Sequence, residues 1–261
     1  MLRLSWLPLL ALTTCGSPPA HQQGPVRLTV SAAASLREAL TEIEPLFEAR
    51  SPGTDLRLNF GASGALRQQI EQGARVDVFV SAAERPMDEL TVRGLVDSAT
   101  RRVLAGNELV LVVPSAEPSP VRSFAELASP RVRRVAIGAP ASVPAGEYAR
   151  ETLRSLGIER AVSGKTVYAQ NVRQVLAYVE SGNVDAGIVY RTDAAVSGRV
   201  RVVAAAPPAS HRPVTYMVAV VSSTRYPREA RALGAFLLGT ESRSVLRRHG
   251  FRLPETAPAE P

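Results

Sequence analysis

The sequence predicts an α/β protein of two units, each a mostly parallel sheet flanked by helices, with the chain crossing between the units twice. Three observations carry this expectation. Short β-type runs alternate with helix-type runs from residue 26 onward. The same alternation restarts at residue 132 after an interruption, and two strongly apolar runs, 108–113 and 216–221, flank the second series as natural crossing points. A chain of 261 residues with 45% hydrophobic content can bury a sizeable core.

Residues 28–30 read as the first strand, followed by a helical pattern with Leu36, Leu40, Ile43 and Phe47 on one face. Pro45 falls inside that pattern, where it should kink the helix or end it early. Residues 56–60 form a second strand run, then Leu66 and Ile70 mark a helix that Gly73 stops. Residues 76–80 read as a buried strand. In the second series, 132–137 is a strand, 147–156 a helix with Gly157 beyond, 172–180 a helix with Gly182 beyond, and 186–190 a strand. Residues 228–238 and 242–249 are helical by pattern and return to the first sheet. The first unit is therefore expected to be discontinuous, 26–107 plus 218–252, with the second at 108–217. No internal sequence repeat is evident.

The ends read differently. Residues 1–15 carry one positive charge, a brief apolar stretch, small residues and then Cys15, the only cysteine. The stretch is far shorter than the ~20 apolar residues of a spanning helix, so it reads as an export signal. Its pattern resembles a bacterial lipoprotein signal, which implies lipidation of Cys15 and a membrane anchor; Thr14 departs from the Gly, Ala or Ser usual before the cysteine. Ordinary signal cleavage is the alternative. Residues 16–25 are polar and proline-rich, as a tether would be, and 253–261 reads as a disordered tail. The net charge is +7, and Lys165 is the only basic residue that is not an arginine. The arginines are scattered and aromatics make up 5%, which argues for a solvated basic face and against a nucleic-acid surface.

Two turns carry the chemistry: Ser31-Ala32-Ala33-Ala34-Ser35-Leu36 and Gly61-Ala62-Ser63-Gly64-Ala65-Leu66. Each follows a strand run and opens a helix run, so each can aim a serine hydroxyl and free backbone N–H groups at one spot. Neither holds a lysine or arginine in its tight part. An anion there would meet neutral donors and helix N-termini, which points to a selective oxyanion site rather than an enzyme. Three further positions lie where ligands gather in α/β sheets. Ala145 follows Pro144 at a helix start, Val172 follows Asn171, a good N-cap, and Tyr190 ends a strand. Plain alternatives exist, since Ser35 and Ser63 also suit simple N-caps and Tyr190 a core aromatic.

The ordered segments Ala32-Ala33-Ala34-Ser35-Leu36, Val143-Pro144-Ala145-Gly146, Asn171-Val172-Arg173 and Gly187-Ile188-Val189-Tyr190 resemble those of the periplasmic molybdate-binding proteins of ABC importers, the ModA family. The resemblance implies a two-lobed periplasmic-binding-protein fold of type II. It further implies a tetrahedral dianion, molybdate or tungstate, held by the hydroxyls of Ser35, Ser63 and Tyr190 and the backbone N–H groups of Ser35, Ser63, Ala145 and Val172. No protein atom would ligate the metal directly, no cofactor is implied, and the partners would be a membrane permease and, through Cys15, the membrane. The protein is expected to be a monomer in the periplasm or at the cell surface. Ala62 and Gly64 stand where relatives often carry serines, and Asn171 where an aspartate is common. Arg37, Arg67 and Arg173 neighbour the site in sequence and are expected to be solvated.

Three rivals remain open at this level. The same scaffold serves other solutes, such as sulfate or thiosulfate. A closed form can signal to a partner instead of delivering cargo. Finally, Gly61-Ala62-Ser63-Gly64-Ala65 approaches a nucleophile elbow, and Asp185 with His211 or His249 supplies the order Ser, Asp, His, although the second glycine is missing. No metal-ligand spacing and no phosphate loop appear.

Overall fold

A computed structural model describes residues 25–116 and 118–254. The signal segment with Cys15, the tether except Pro25, and the tail beyond Pro254 lie outside the described residues. In chain order the elements are β1 (Val26–Ala33), α1 (Arg37–Arg50), β2 (Thr54–Gly61), α2 (Ser63–Glu71), β3 (Val78–Ser81), α3 (Glu84–Val92) and β4 (Arg102–Asn107). Then come β5 (Leu109–Pro114), β6 (Val135–Gly138), α4 (Pro144–Ser155), α5 (Glu159–Ser163), β7 (Thr166–Ala169), α6 (Val172–Glu180), β8 (Ala186–Tyr190), α7 (Arg191–Ala195) and β9 (Val200–Ala205). The chain closes with β10 (Val214–Val220), α8 (Pro227–Leu238) and α9 (Thr240–Arg248).

Two sheets of five strands form, in the orders β2-β1-β3-β10-β4 and β7-β6-β8-β5-β9. Both follow one plan: three parallel strands, then an antiparallel fourth, then a fifth antiparallel to the fourth. The fourth strand in each is the one that arrives from the other lobe. Four of the five strands therefore share a direction, but only two of the four pairings per sheet are parallel, so the sheets are mixed.

The first crossing takes a single residue, Glu108, between β4 and β5. The second lies between β9 and β10, earlier than expected from the apolar run at 216–221. The expected boundary at 217/218 cuts through β10, whose Val214 pairs with Asn107 and whose Tyr216 pairs with Ala105. That run is apolar because β10 is a central strand buried on both faces, not because it bridges the lobes.

The helices cover the sheets by their apolar faces. In α1, Leu40, Ile43 and Phe47 are buried and recur at helical spacing. Pro45 does not end α1, which runs through to Arg50. The proline is on the exposed face, and so is Thr41, so the Thr41 carbonyl deprived of its partner can be hydrated. Gly73 and Gly182 take positive φ just beyond α2 and α6, closing both helices as expected. Helices α8 and α9 return to the first lobe, α8 against β10 and α9 against α1. Leu253, expected in the disordered tail, packs against the core. No helix among the described residues is long and apolar enough to cross a membrane.

Strand register positions the site. β1 and β2 run level, from Val26 opposite Thr54 to Ala33 opposite Gly61, and β6 and β7 end with Gly138 opposite Ala169. The turns leaving these strands therefore stand side by side at the carboxyl edges, and the two edges face each other across the cleft between the lobes.

Candidate functional site

The five predicted residues line one small pocket between the lobes. Ser35 sits in the single 3-10 turn after β1, and Ser63 is the first residue of α2. Ala145 follows Pro144 in the first turn of α4, Val172 begins α6, and Tyr190 ends β8. All five are nearly inaccessible, from 0% for Ser63 to 4% for Val172. The first lobe supplies the walls at 33–35, 61–63 and 82, the second those at 144–145, 171–172 and 190. No charged side chain is among them.

Hydrogen bonding orients the donors inward. The N–H groups of Ser63, Ala145 and Val172 sit at helix starts, where no intrahelical carbonyl can receive them, and no other acceptor takes them among the described residues. Asn171 caps α6 by accepting from the Gln174 N–H at 3.0 Å, as its residue type predicts. Ser63 Oγ accepts from the Ala82 N–H at 2.9 Å, which leaves its own proton to donate elsewhere. Tyr190 Oη is buried and has no partner among the described residues. Burial holds its pKa well above the ordinary tyrosine value, so it is a neutral donor at any working pH. Orphaned buried hydroxyls are uncommon and call for an occupant.

The space left between these walls is small, about 10 Å³, so the donors from the two lobes stand close around one point. A larger hollow of about 390 Å³ beside the crossing segments lacks any convergence of helix starts. Closure is marked by contacts across the cleft: the Gly64 N–H donates to the Ser142 carbonyl at 2.9 Å, Arg173 pairs with Glu38, and Arg85 lies 3.5 Å from Glu147.

The residues of the hydrolase rival do not join Ser63. The Asp185 carboxylate accepts from the N–H groups of Arg133 and Arg134 at 2.6 and 2.8 Å. His249 faces Glu42 at 2.8 Å, and the His211 ring lies 5.6 Å from that of Tyr148. The three neighbouring arginines are not simply solvated either. Arg37 stacks on Phe60 with its guanidinium carbon 4.5 Å from the ring centre, Arg67 pairs with Glu71 and Glu89, and Arg173 lies between Glu38 and buried Asp193.

Residues 28–252 match the family of bacterial extracellular solute-binding proteins. The chain belongs to that family. Among relatives of this solute-binding protein, the putative ABC transporter substrate-binding lipoprotein YvgL of Bacillus subtilis is 44% identical over 87% of the chain and 86% of its own length. The molybdate-binding protein ModA of Escherichia coli is 38% identical over 87% and 89%. Among solved structures, the substrate-binding domain of a putative molybdenum ABC transporter from Clostridium difficile superposes with a TM-score of 0.68 at 37% identity, covering 88% of this chain and all of that one. The periplasmic molybdate-binding protein of Azotobacter vinelandii superposes with a TM-score of 0.76 at 25% identity, covering 87% and 100%.

Sequence reasoning did not reach the residues behind the solute-binding protein's walls. Tyr216 Oη lies 2.7 Å from Ser35 Oγ, and Asn107 donates to Tyr216 Oη at 3.2 Å. Asn107 ends β4 and Tyr216 lies inside β10, two strands that meet only in the sheet, and nothing in their local sequence marks them. Gly146 is another case: a Cβ there would stand 1.9 Å from the Gly138 carbonyl oxygen, so α4 starts tight against β6 and its first turn is fixed in place.

Proposed function

We propose that this solute-binding protein captures molybdate, and tungstate with it, for an ABC importer, holding the oxyanion with Ser35, Ser63, Ala145, Val172 and Tyr190 and performing no catalysis. The observation that carries this reading is the unpartnered, fully buried Tyr190 hydroxyl facing an uncharged pocket of helix starts from both lobes. A tetrahedral dianion offers acceptors in several directions at once and suits donors converging from two sides. Fixed neutral donors discriminate by size and protonation, whereas a flexible lysine would accept almost any anion. The relatives named above point to molybdate among such dianions.

Capture then proceeds by closure of the two lobes about the crossings at Glu108 and 206–213, which removes the anion from water. The closed form docks on a membrane permease, and the protein acts as a monomer tethered by lipid at Cys15. Calorimetric titration of the untethered domain from Gly24 onward with molybdate, tungstate, sulfate and phosphate tests the cargo. Tight molybdate and tungstate binding with silence from the other two is expected; sulfate or phosphate binding alone would keep the scaffold and move the cargo. A Cys15→Ser protein released into the soluble fraction, with wild type retained in the membrane fraction, is the expected outcome for the anchor.

A further inference from the structure

We infer that Asn107 and Tyr216, neither of which lines the pocket, are positioning residues that make Ser35 an obligate hydrogen-bond donor toward the anion. The inference rests on the oxyanion reading above. It begins at the first crossing between the lobes, where the Glu108 N–H donates to Asn107 Oδ1 at 2.8 Å and thereby fixes which way the amide faces. The amide nitrogen carries two hydrogens and no lone pair for accepting. One goes to Thr192 Oγ1 of α7 at 2.9 Å and the other to Tyr216 Oη at 3.2 Å.

Tyr216 Oη is thus an acceptor toward Asn107, and its own proton is directed to Ser35 Oγ, 2.7 Å away. Tyr216 is fully buried, and burial keeps the phenol protonated, so the proton stays available for donation. Ser35 Oγ, accepting from Tyr216, sends its hydrogen the other way, where the pocket lies. Every bond from the Glu108 amide to the cavity therefore points in one direction, and chains of this kind strengthen their last donor. The consequence is a rule about cargo. An oxyanion must turn a bare oxygen to the Ser35 hydrogen, which a fully deprotonated dianion does in every orientation and hydrogen phosphate only in those that keep its hydroxyl away from Ser35. Hydrogen phosphate is penalised and molybdate is not.

A double-mutant cycle read by calorimetric Kd for molybdate tests this. Tyr216→Phe keeps the ring that packs against Phe251 at 5.3 Å and removes only the hydroxyl. About a tenfold rise in Kd is expected, because the Ser35 hydroxyl is then no longer held with its hydrogen toward the anion. Ser35→Ala retains the other donors and stays titratable, and in that background Tyr216→Phe should change Kd by less than about twofold. Asn107→Asp presents an acceptor to Tyr216, reverses the chain, and should lower the ratio of molybdate to phosphate affinity at least about tenfold. An unchanged Tyr216→Phe penalty in the Ser35→Ala protein overturns the relay alone. A wild-type protein that ignores molybdate overturns the proposed function, and the relay with it.

Discussion

Tyr190 is placed at the end of β8, where its ring is held 6.0 Å from that of Tyr216 while its hydroxyl is left without a partner among the described residues. Replacing it with phenylalanine removes a donor and preserves the packing, so Tyr190→Phe should raise the molybdate Kd by roughly tenfold or more at an unchanged apo melting temperature. Unchanged affinity would take Tyr190 out of the site. Asp193 carries a second prediction. It is fully buried, and that burial pushes its carboxyl up to about 7, against the opposing pull of Arg173 at 2.7 Å. A carboxyl whose folded pKa lies above its unfolded value binds protons more tightly when folded, so it favours folding at low pH and that contribution is lost as pH rises from about 4 to about 7. Melting curves of Asp193→Asn beside wild type across that window should show the variant gaining on wild type as pH rises; a constant offset would contradict the assignment.

Elements place donors only as well as they are seated. α4 opens on Pro144, and the near-contact of Gly146 with the Gly138 carbonyl lets its first turn, with the Ala145 N–H, reach the cavity. A methyl group at 146 must displace backbone, not a flexible side chain. Gly146→Ala is expected to cost on the order of 1–3 kcal/mol of stability, as overpacking does, and to weaken anion binding by moving the helix start. Thermal melting and titration of the same sample would show both effects. Helix α1 teaches the opposite lesson: Pro45 reads as a breaker, yet it lies on the exposed face, where water can reach the carbonyl it leaves unpaired, and α1 continues. Long amphipathic helices and buried strands were legible because their periodicity survives in one dimension. The edge strands β7 and β9 were not, because they are half exposed and carry no clear alternation.

At the scale of the whole molecule, the proposed function couples occupancy to closure. Ligand that binds only the native protein should stabilise it by about 4 kcal/mol at a thousandfold excess over its Kd, visible as a rise in melting temperature with molybdate and none with an unbound anion. Closure is also supported by the pair between Glu38 of the first lobe and Arg173 of the second, which is partly exposed. Such pairs contribute at most about 1 kcal/mol, so Glu38→Gln should speed molybdate release by no more than about fivefold, with a smaller effect at high salt. Stopped-flow release rates at two salt concentrations would check this; a loss that ignores salt would assign Glu38 another role.

By itself the sequence determined the alternation of strands and helices, the discontinuous plan, and the serine, helix-start and tyrosine positions that converge on one pocket, since each is written in a local run of residues with its own periodicity or cap. Only the tertiary structure decided that β10 joins the first sheet from Val214 onward, that the three arginines are tied up in ion pairs and stacking, and that Asn107 and Tyr216 stand behind Ser35. Those outcomes depend on which strands become neighbours, and pairing between residues a hundred positions apart leaves no mark on either segment until the backbone hydrogen bonds and the buried faces of the sheet bring them together.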